Sequence, residues 1–322
     1  EDSDLYRAHP DWVLSVPGRR KSLGRSQCVL DFSRQDVVDN IYEQMAAILA
    51  SGKVSYVKWD MNRSITECWS HALPAARQGE VFHRYILGLY DLYERLTTAF
   101  PHVLFESCAS GGNRFDPGML YYAPQAWTSD NSDAVERQKI QYGTSMCYPL
   151  SSMGSHVSVV PNHQVNRVTP LHTRANTAYF GTFGYELDLG KLSAEEIAEV
   201  KDEIAFMKEY REIFQFGTFY RLQSPFEHNV MAWMCVSGDQ KTAIVGWYRT
   251  LNRVNDRFAR VRLAGLLPDT LYEDSRSGAR CYGDELMHYG LITTDGTTGE
   301  PHPEDGLTAD FDSRLYVLNA VE

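Results

Sequence analysis

The chain has 322 residues, of which 43% are hydrophobic, and carries a formal net charge of −11. That length and apolar content supply the core of one large domain or two ordinary ones, while the acidic balance, with no Lys/Arg cluster to override it, excludes nucleic acid as a partner. The six cysteines stand far apart with no C-x-x-C pair, which fits reduced thiols in a cytoplasmic protein, and no apolar run approaches the roughly 18 residues that cross a membrane.

Along the first two-thirds of the chain, short apolar strands alternate with longer amphipathic segments. Strands are expected at 27–31, 53–60, 103–107, 126–130 and, more weakly, 152–157. Between them, 34–51 and 80–100 carry apolar residues at helical spacing. Asp133 with Glu136 and Ser193 with Glu196 have capping-box spacing and open two further helices. Strand and helix in alternation imply right-handed βαβ units and a parallel sheet. After about residue 216 the texture changes to short β-rich runs separated by turns, such as NVMAWMCVS, TAIVGWYR and RLYVLNAV, which reads as an antiparallel β domain. The expected division is therefore 1–215, a parallel α/β domain, and 216–322, the β domain.

Within this scheme the run VKWDMNR stands out. Successive side chains of a strand point to opposite faces, so Lys58, Asp60 and Asn62 share one face and Trp59 and Met61 the other. Three convergent polar groups are either an internally satisfied ion pair or a site for a polar ligand. Arg25, Asp60, Cys108 and Asp130 all fall at an expected strand end or in the turn beside it, the carboxyl edge where parallel α/β proteins bind ligands. Asp60 and Asp130 lie about two βα units apart, which in a closed barrel sets two carboxyls across one mouth. Such a pair suits glycoside hydrolysis, where retaining enzymes hold the carboxyls roughly 5–5.5 Å apart. Lys58 on the same face would keep Asp60 ionised, as a nucleophile requires. The plainer role for Asp60 is a buried ion pair with Lys58. Of the two acids in WTSDNSDAVER, Asp133 has a sufficient task as a helix cap and Asp130 has none, so Asp130 is the candidate acid. Gly111 and Gly112 lack the Gly-Lys-Ser/Thr of a phosphate loop and read as a tight turn that lets backbone approach a ligand.

The segments KWDMNR, ESCASGGNRFDPGMLYYAPQAWTSDNSDAVERQKIQYGTS and MGSHVSVVPNHQVNRVTPLHTRANTAYFGTFGYELDL resemble the family 36 glycoside hydrolases, the bacterial α-galactosidases of clan GH-D, nearly continuously over about 1–215. The resemblance implies that Asp60 is the nucleophile and Asp130 the general acid/base. It implies that Arg25, Lys58 and Asn62 bind galactose hydroxyls, with Cys108, Gly111 and Gly112 lining the sugar site, and that no cofactor or metal takes part. The expected substrates are terminal α-galactosides of raffinose-type oligosaccharides. The expected fold is a partial (β/α)8 TIM barrel, strands three to eight, followed by an antiparallel β-sandwich domain. Family members carry upstream a β domain and the first two barrel strands, with an Asp-Asp-Gly-Trp segment that this sequence does not contain. An N-terminal portion of the same enzyme is thus an expected partner, in what is often a homotetramer. Alternatives are an α-N-acetylgalactosaminidase, for which Asn113 near the sugar 2-position is the place to look, and a non-catalytic sugar-binding or assembly fragment.

Overall fold

A computed structural model describes residues 1–252, 259–293 and 310–321, in two units, Glu1–Trp127 and Thr128–Glu322. The first unit runs α1 (Asp4–Ala8), α2 (Gln35–Ser51), β1 (Tyr56–Asp60), α3 (Val81–Ala99), β2 (Leu104–Cys108), α4 (Pro117–Tyr122) and β3 (Gln125–Trp127). β1 pairs in parallel with β2, and β2 with β3. The two faces of these strands differ in chemistry. Val57, Trp59, Met61 and Phe105 point into a core built with Val81, Tyr85, Leu89, Leu92, Tyr93 and Leu96 of α3, which recur every three or four residues and so form one helix stripe. The opposite face carries Tyr56, Lys58 and Asp60 on β1, Glu106 and Cys108 on β2, and Gln125 and Trp127 on β3, side by side in register. The alternation read in VKWDMNR is therefore the alternation of a helix-covered face with a polar one.

α3 lies so close to the preceding loop that one residue in it must lack a side chain. A Cβ on Gly88 would stand 1.8 Å from the Phe32 carbonyl oxygen and 2.9 Å from its carbon, both backbone atoms that cannot rotate away. Alanine gains about 1 kcal/mol of helix propensity over glycine. The clash outweighs that gain, so Gly88→Ala should lower stability by about 3 kcal/mol, read as a reduced urea midpoint. Unchanged or higher stability would show that α3 can lift off the loop.

The second unit holds α5 (Ala134–Thr144), β4 (Met153–Ser158), α6 (Leu171–Ala178), β5 (Thr182–Glu186) and α7 (Ala194–Phe216). β4 and β5 pair in parallel from Gly154 with Thr182 to Ser158 with Glu186. The capping box expected at Ser193 is present: Ser193 N–H donates to Glu196 Oε2 at 2.8 Å and Glu196 N–H to Ser193 Oγ at 3.2 Å.

There follow β6 (Thr218–Gln223), β7 (Val230–Val236), β8 (Thr242–Arg249), β9 (Arg260–Val261), β10 (Leu271–Asp274), β11 (Arg280–Tyr282), α8 (Gly283–His288), β12 (Leu291–Ile292) and β13 (Asp312–Ala320). Six of these strands form an antiparallel sheet in the order β11-β10-β13-β8-β7-β6, and β9 pairs with β12. One face of β7 and β8, with Ala232, Met234, Val245 and Trp247, packs against Val261, Leu263, Leu266 and Leu286. The other meets the α/β segment of the same unit: the Trp233 ring lies 4.9 Å from that of Phe180, and Tyr248 OH donates to the Asn176 carbonyl at 2.6 Å. Burial on both faces explains why these two strands read as unbroken apolar runs instead of alternating.

The fold is the expected partial barrel of parallel strands followed by an antiparallel β domain, with two corrections. Residues 27–31 form no strand of the parallel sheet. Leu30 makes a single antiparallel bridge to Val13, and Leu14 N–H donates to the Val29 carbonyl at 2.9 Å, so the run's backbone bonds go to the segment before it. Conversely, 182–186 is a strand that sequence periodicity did not single out, because TFGYE is half-buried from Thr182 to Tyr185 without alternation and carries a glycine. The parallel strands among the described residues number five, against six expected.

Glu203 on α7 is 7% exposed and shares its site with Tyr185, Tyr179, Arg174, His172 and Glu199. Burial pushes its carboxyl from the ordinary 4.5 up to about 7, opposed by the Tyr185 hydroxyl that donates to Oε2. Between those two pH values the folded protein keeps a proton that the unfolded chain releases, so this group lowers stability as pH rises through that window. Glu203→Gln should therefore stabilise the protein at pH 8, by up to about 3 kcal/mol, and leave it unchanged near pH 4. Unfolding curves at the two pH values check this, and an equal shift at both would contradict it.

Candidate active site

Asp60 is the last residue of β1, at the carboxyl end of the strand, and its side chain is exposed. Asn62, one pleat further on, donates from Nδ2 to Asp60 Oδ2 at 2.6 Å, while its own Oδ1 accepts the Ser110 backbone N–H at 2.8 Å. The amide is thus fixed at both ends and holds the carboxylate in one orientation. Lys58 does not pair with Asp60: its ion-pair partner is Glu106, with Nζ 4.0 Å from Oε1, and its Nζ lies 5.2 Å from the centre of the Trp127 ring. The plainer role for Asp60, an ion pair with Lys58, is thus not what forms: among the described residues Asp60 carries no ion pair.

Cys108 stands beside Asp60 in the strand register and is buried. Burial first, and the neighbouring Asp60 carboxylate with it, push its thiol up to about 11 against a lowering from the Gly111 backbone. At neutral pH the thiol keeps its proton, which suits a wall residue and not a nucleophile. After Cys108 the chain turns sharply: Ser110 and Gly111 both have positive φ, 52° and 79°, Ala109 N–H donates to the Gly111 carbonyl at 2.9 Å, and Gly112 bridges back to Ala109. That turn supplies the Ser110 N–H that positions Asn62.

Arg25 occupies a left-handed turn at φ 54°, exposed, closed by the Gln27 N–H donating to the Gly24 carbonyl at 3.0 Å. Its place beside a strand is corrected, since no strand forms there, but the turn is tied to the Asp60 loop by Arg63. That guanidinium donates to the Gln27 carbonyl at 3.0 Å, to Thr66 Oγ1 at 3.1 Å and to the Ser22 carbonyl. Arg114 in turn donates to the Met61 and Arg63 carbonyls. One unit thus holds all of Arg25, Lys58, Asp60, Asn62, Cys108, Gly111 and Gly112, with Lys58, Asp60, Asn62 and Cys108 joined by strand register and hydrogen bonds and Arg25 in the turn that Arg63 ties to their loop. The sequence reading missed Glu106, Arg63 and Arg114. Glu106 left a signal, a carboxylate in mid-strand within LFESC, and the two arginines left none, because all their partners but the Thr66 hydroxyl are backbone carbonyls.

Asp130 belongs to the second unit, three residues beyond the end of β3 at Trp127, in a bend and exposed. It does not end the strand as expected, for β3 stops sooner. Asp133 is 2% exposed, caps α5 by accepting the Glu136 N–H at 3.0 Å, and is paired with Arg167. Asp133→Ala removes the cap and leaves Arg167 without its carboxylate, so it should cost about 3 kcal/mol, more than the 0.5–2 kcal/mol of a cap alone. A change in denaturation midpoint below that of a cap would show the ion pair to be idle. Among the described residues no group of three or more His, Cys, Asp or Glu is placed to hold a metal ion, and no helix is long and apolar enough to cross a membrane.

Residues 1–217 match the melibiase family model, and 230–318 match that of the glycosyl hydrolase family 36 C-terminal domain. The chain is 53% identical over 321 residues to α-galactosidase AgaA of Geobacillus stearothermophilus, covering 100% of this chain and 42% of that protein. It is 49% identical over 320 residues to α-galactosidase Mel36A of Lactobacillus acidophilus, covering 99% and 42%. A solved structure of an AgaA variant in complex with raffinose superposes with a TM-score of 0.93 at 53% identity, over 99% of this chain and 43% of that one. The chain thus spans about two-fifths of the length of these relatives. A family model that covers the whole parallel α/β segment, and a second that covers most of the β domain behind it, leave one assignment: the chain belongs to the melibiase family, glycosyl hydrolase family 36.

Proposed function

We propose that this chain forms part of a retaining exo-α-galactosidase that removes terminal α-D-galactosyl groups from raffinose-type oligosaccharides. The observation that carries the proposal is the state of Asp60: a carboxylate at a strand's carboxyl end, exposed, oriented by Asn62 and free of any ion pair among the described residues. The naming of relatives as α-galactosidases, one of them in complex with raffinose, supports the substrate class.

In this reading Asp60 attacks C1 of the galactosyl group while Asp130 protonates the departing glycosidic oxygen. Asp130 then takes a proton from water, which displaces Asp60 and releases galactose with its original anomeric configuration. Arg25, Lys58 and Asn62 bind sugar hydroxyls, and Cys108, Gly111 and Gly112 form the wall. Residues 1–215 make the catalytic part and 216–322 the C-terminal β domain. An N-terminal portion completes the sugar site, the assembly is a homotetramer and the compartment is cytoplasmic, in keeping with six free cysteines.

The test is the complete enzyme's rate on an aryl α-galactoside against the matching aryl α-N-acetylgalactosaminide. The galactoside should be favoured by at least about 100-fold. The reverse preference would make the enzyme an α-N-acetylgalactosaminidase, and a folded protein that binds galactose and cleaves neither would be a sugar-binding module.

A further inference from the structure

We propose that Glu106 is a positioning residue for the reaction, acting through Lys58 to fix the ammonium group beneath Asp60. The proposal rests on the α-galactosidase reading above. Glu106 is 2% exposed in the middle of β2, on the polar face, directly opposite Lys58 in the register. Its Oε2 accepts hydrogen bonds from the Tyr56 hydroxyl and from Gln125 Nε2, the latter at 3.3 Å. Among the described residues its Oε1 is buried with no hydrogen-bond partner, and Lys58 Nζ lies 4.0 Å from it.

A buried carboxylate oxygen without a donor is strongly unfavourable unless a charge compensates it, and here that charge is the lysine next to the nucleophile. The dependence runs both ways. A lysine whose side chain is 37% exposed has four rotatable bonds and would otherwise sample many rotamers. Glu106 on one side and the Trp127 ring on the other confine it. Confined there, the ammonium keeps protons free for a sugar hydroxyl one pleat below Asp60. The neighbouring strands thus form two rungs: Asp60 beside Cys108 at the strand ends, and Lys58, Glu106 and Gln125 just behind them. Among the described residues Glu106 makes no hydrogen bond or ion pair with Asp60 or Cys108, and its partner on the substrate side is Lys58, so its influence passes through that lysine.

The experiment is a double-mutant cycle in the complete enzyme. Glu106→Gln keeps the acceptor for Tyr56 and removes the charge that faces Lys58. It should raise KM for an aryl α-galactoside about 10-fold, with kcat changed by less than about 3-fold. In a Lys58→Met background the same substitution should change KM by less than about 2-fold, because the group it acts through is gone. Tyr56→Phe, which only frees the Glu106 carboxylate to move, should raise KM by about 3-fold and should also lose its effect in that background. This gentler variant keeps the test open should Glu106→Gln fail to fold. Multiplicative effects of Lys58→Met with either substitution, or wild-type KM in Glu106→Gln, would overturn the positioning role while leaving the α-galactosidase reading intact. A wild-type enzyme that cleaves no α-galactoside overturns that reading and this inference with it.

Discussion

Asp60→Asn should lower kcat on any α-galactoside by at least about 1000-fold, the order expected when a covalent nucleophile is removed, while the fold stays as it is. Asparagine matches aspartate in volume and keeps an oxygen that accepts the Asn62 Nδ2 proton, the bond that now spans 2.6 Å. No ion pair among the described residues is broken, since the partner of Lys58 is Glu106. The loss would therefore be chemical and not structural. Added azide would enter from the face that the carboxylate vacates and give a product of inverted configuration, so it should not restore the native anomer. A variant that kept more than a few per cent of activity with an unchanged melting temperature would remove Asp60 from the nucleophile's role.

Asp130→Ala should separate substrates by their leaving groups. A raffinose-type sugar needs its departing oxygen protonated, and loss of a general acid costs about 100- to 10,000-fold there. A nitrophenolate leaves without that proton, so its release in the first step should fall by about 10-fold or less. The comparison is made by single-turnover rates on the two substrates with the same protein preparation. Equal losses on both would make Asp130 a structural residue. The control is Asp133→Ala, three residues on: buried, capping α5 and paired with Arg167, Asp133 should change stability without this dependence on the leaving group.

The reason that so much of the site was legible lies in the period of two. Polar residues at every second position of an apolar strand have few structural uses, so Lys58, Asp60 and Asn62 announced a common face; the register of β1 with β2 bears that out for Lys58 and Asp60, and Asn62, past the strand's end, is joined to Asp60 by a hydrogen bond. Helices with strong apolar stripes or a local cap were legible for the same kind of reason, as at α3 and at Ser193 of α7. What escaped was whatever depends on contacts distant in sequence. Residues 27–31 have strand composition, yet their backbone bonds were taken by 12 and 14. β5 has glycine and half-exposed aromatics, and it is a strand because β4 lies alongside it. Asp60 was expected to share Lys58's charge, and the competing partner, Glu106, sits on another strand 48 positions away from Lys58. Arg63 and Arg114 work on carbonyl groups, which no side-chain pattern records.

The central claim, that Asp60 forms the covalent galactosyl-enzyme, is tested most directly by trapping that species. The complete enzyme is treated with an activated α-galactosyl donor fluorinated on the ring, which slows hydrolysis of the intermediate more than its formation. The protein is then digested and its peptides weighed. The account predicts one fluorogalactosyl group per chain, on the peptide that holds Trp59, Asp60 and Met61, and none in Asp60→Asn. A label on any other carboxylate, or full inactivation with no covalent label, would contradict it.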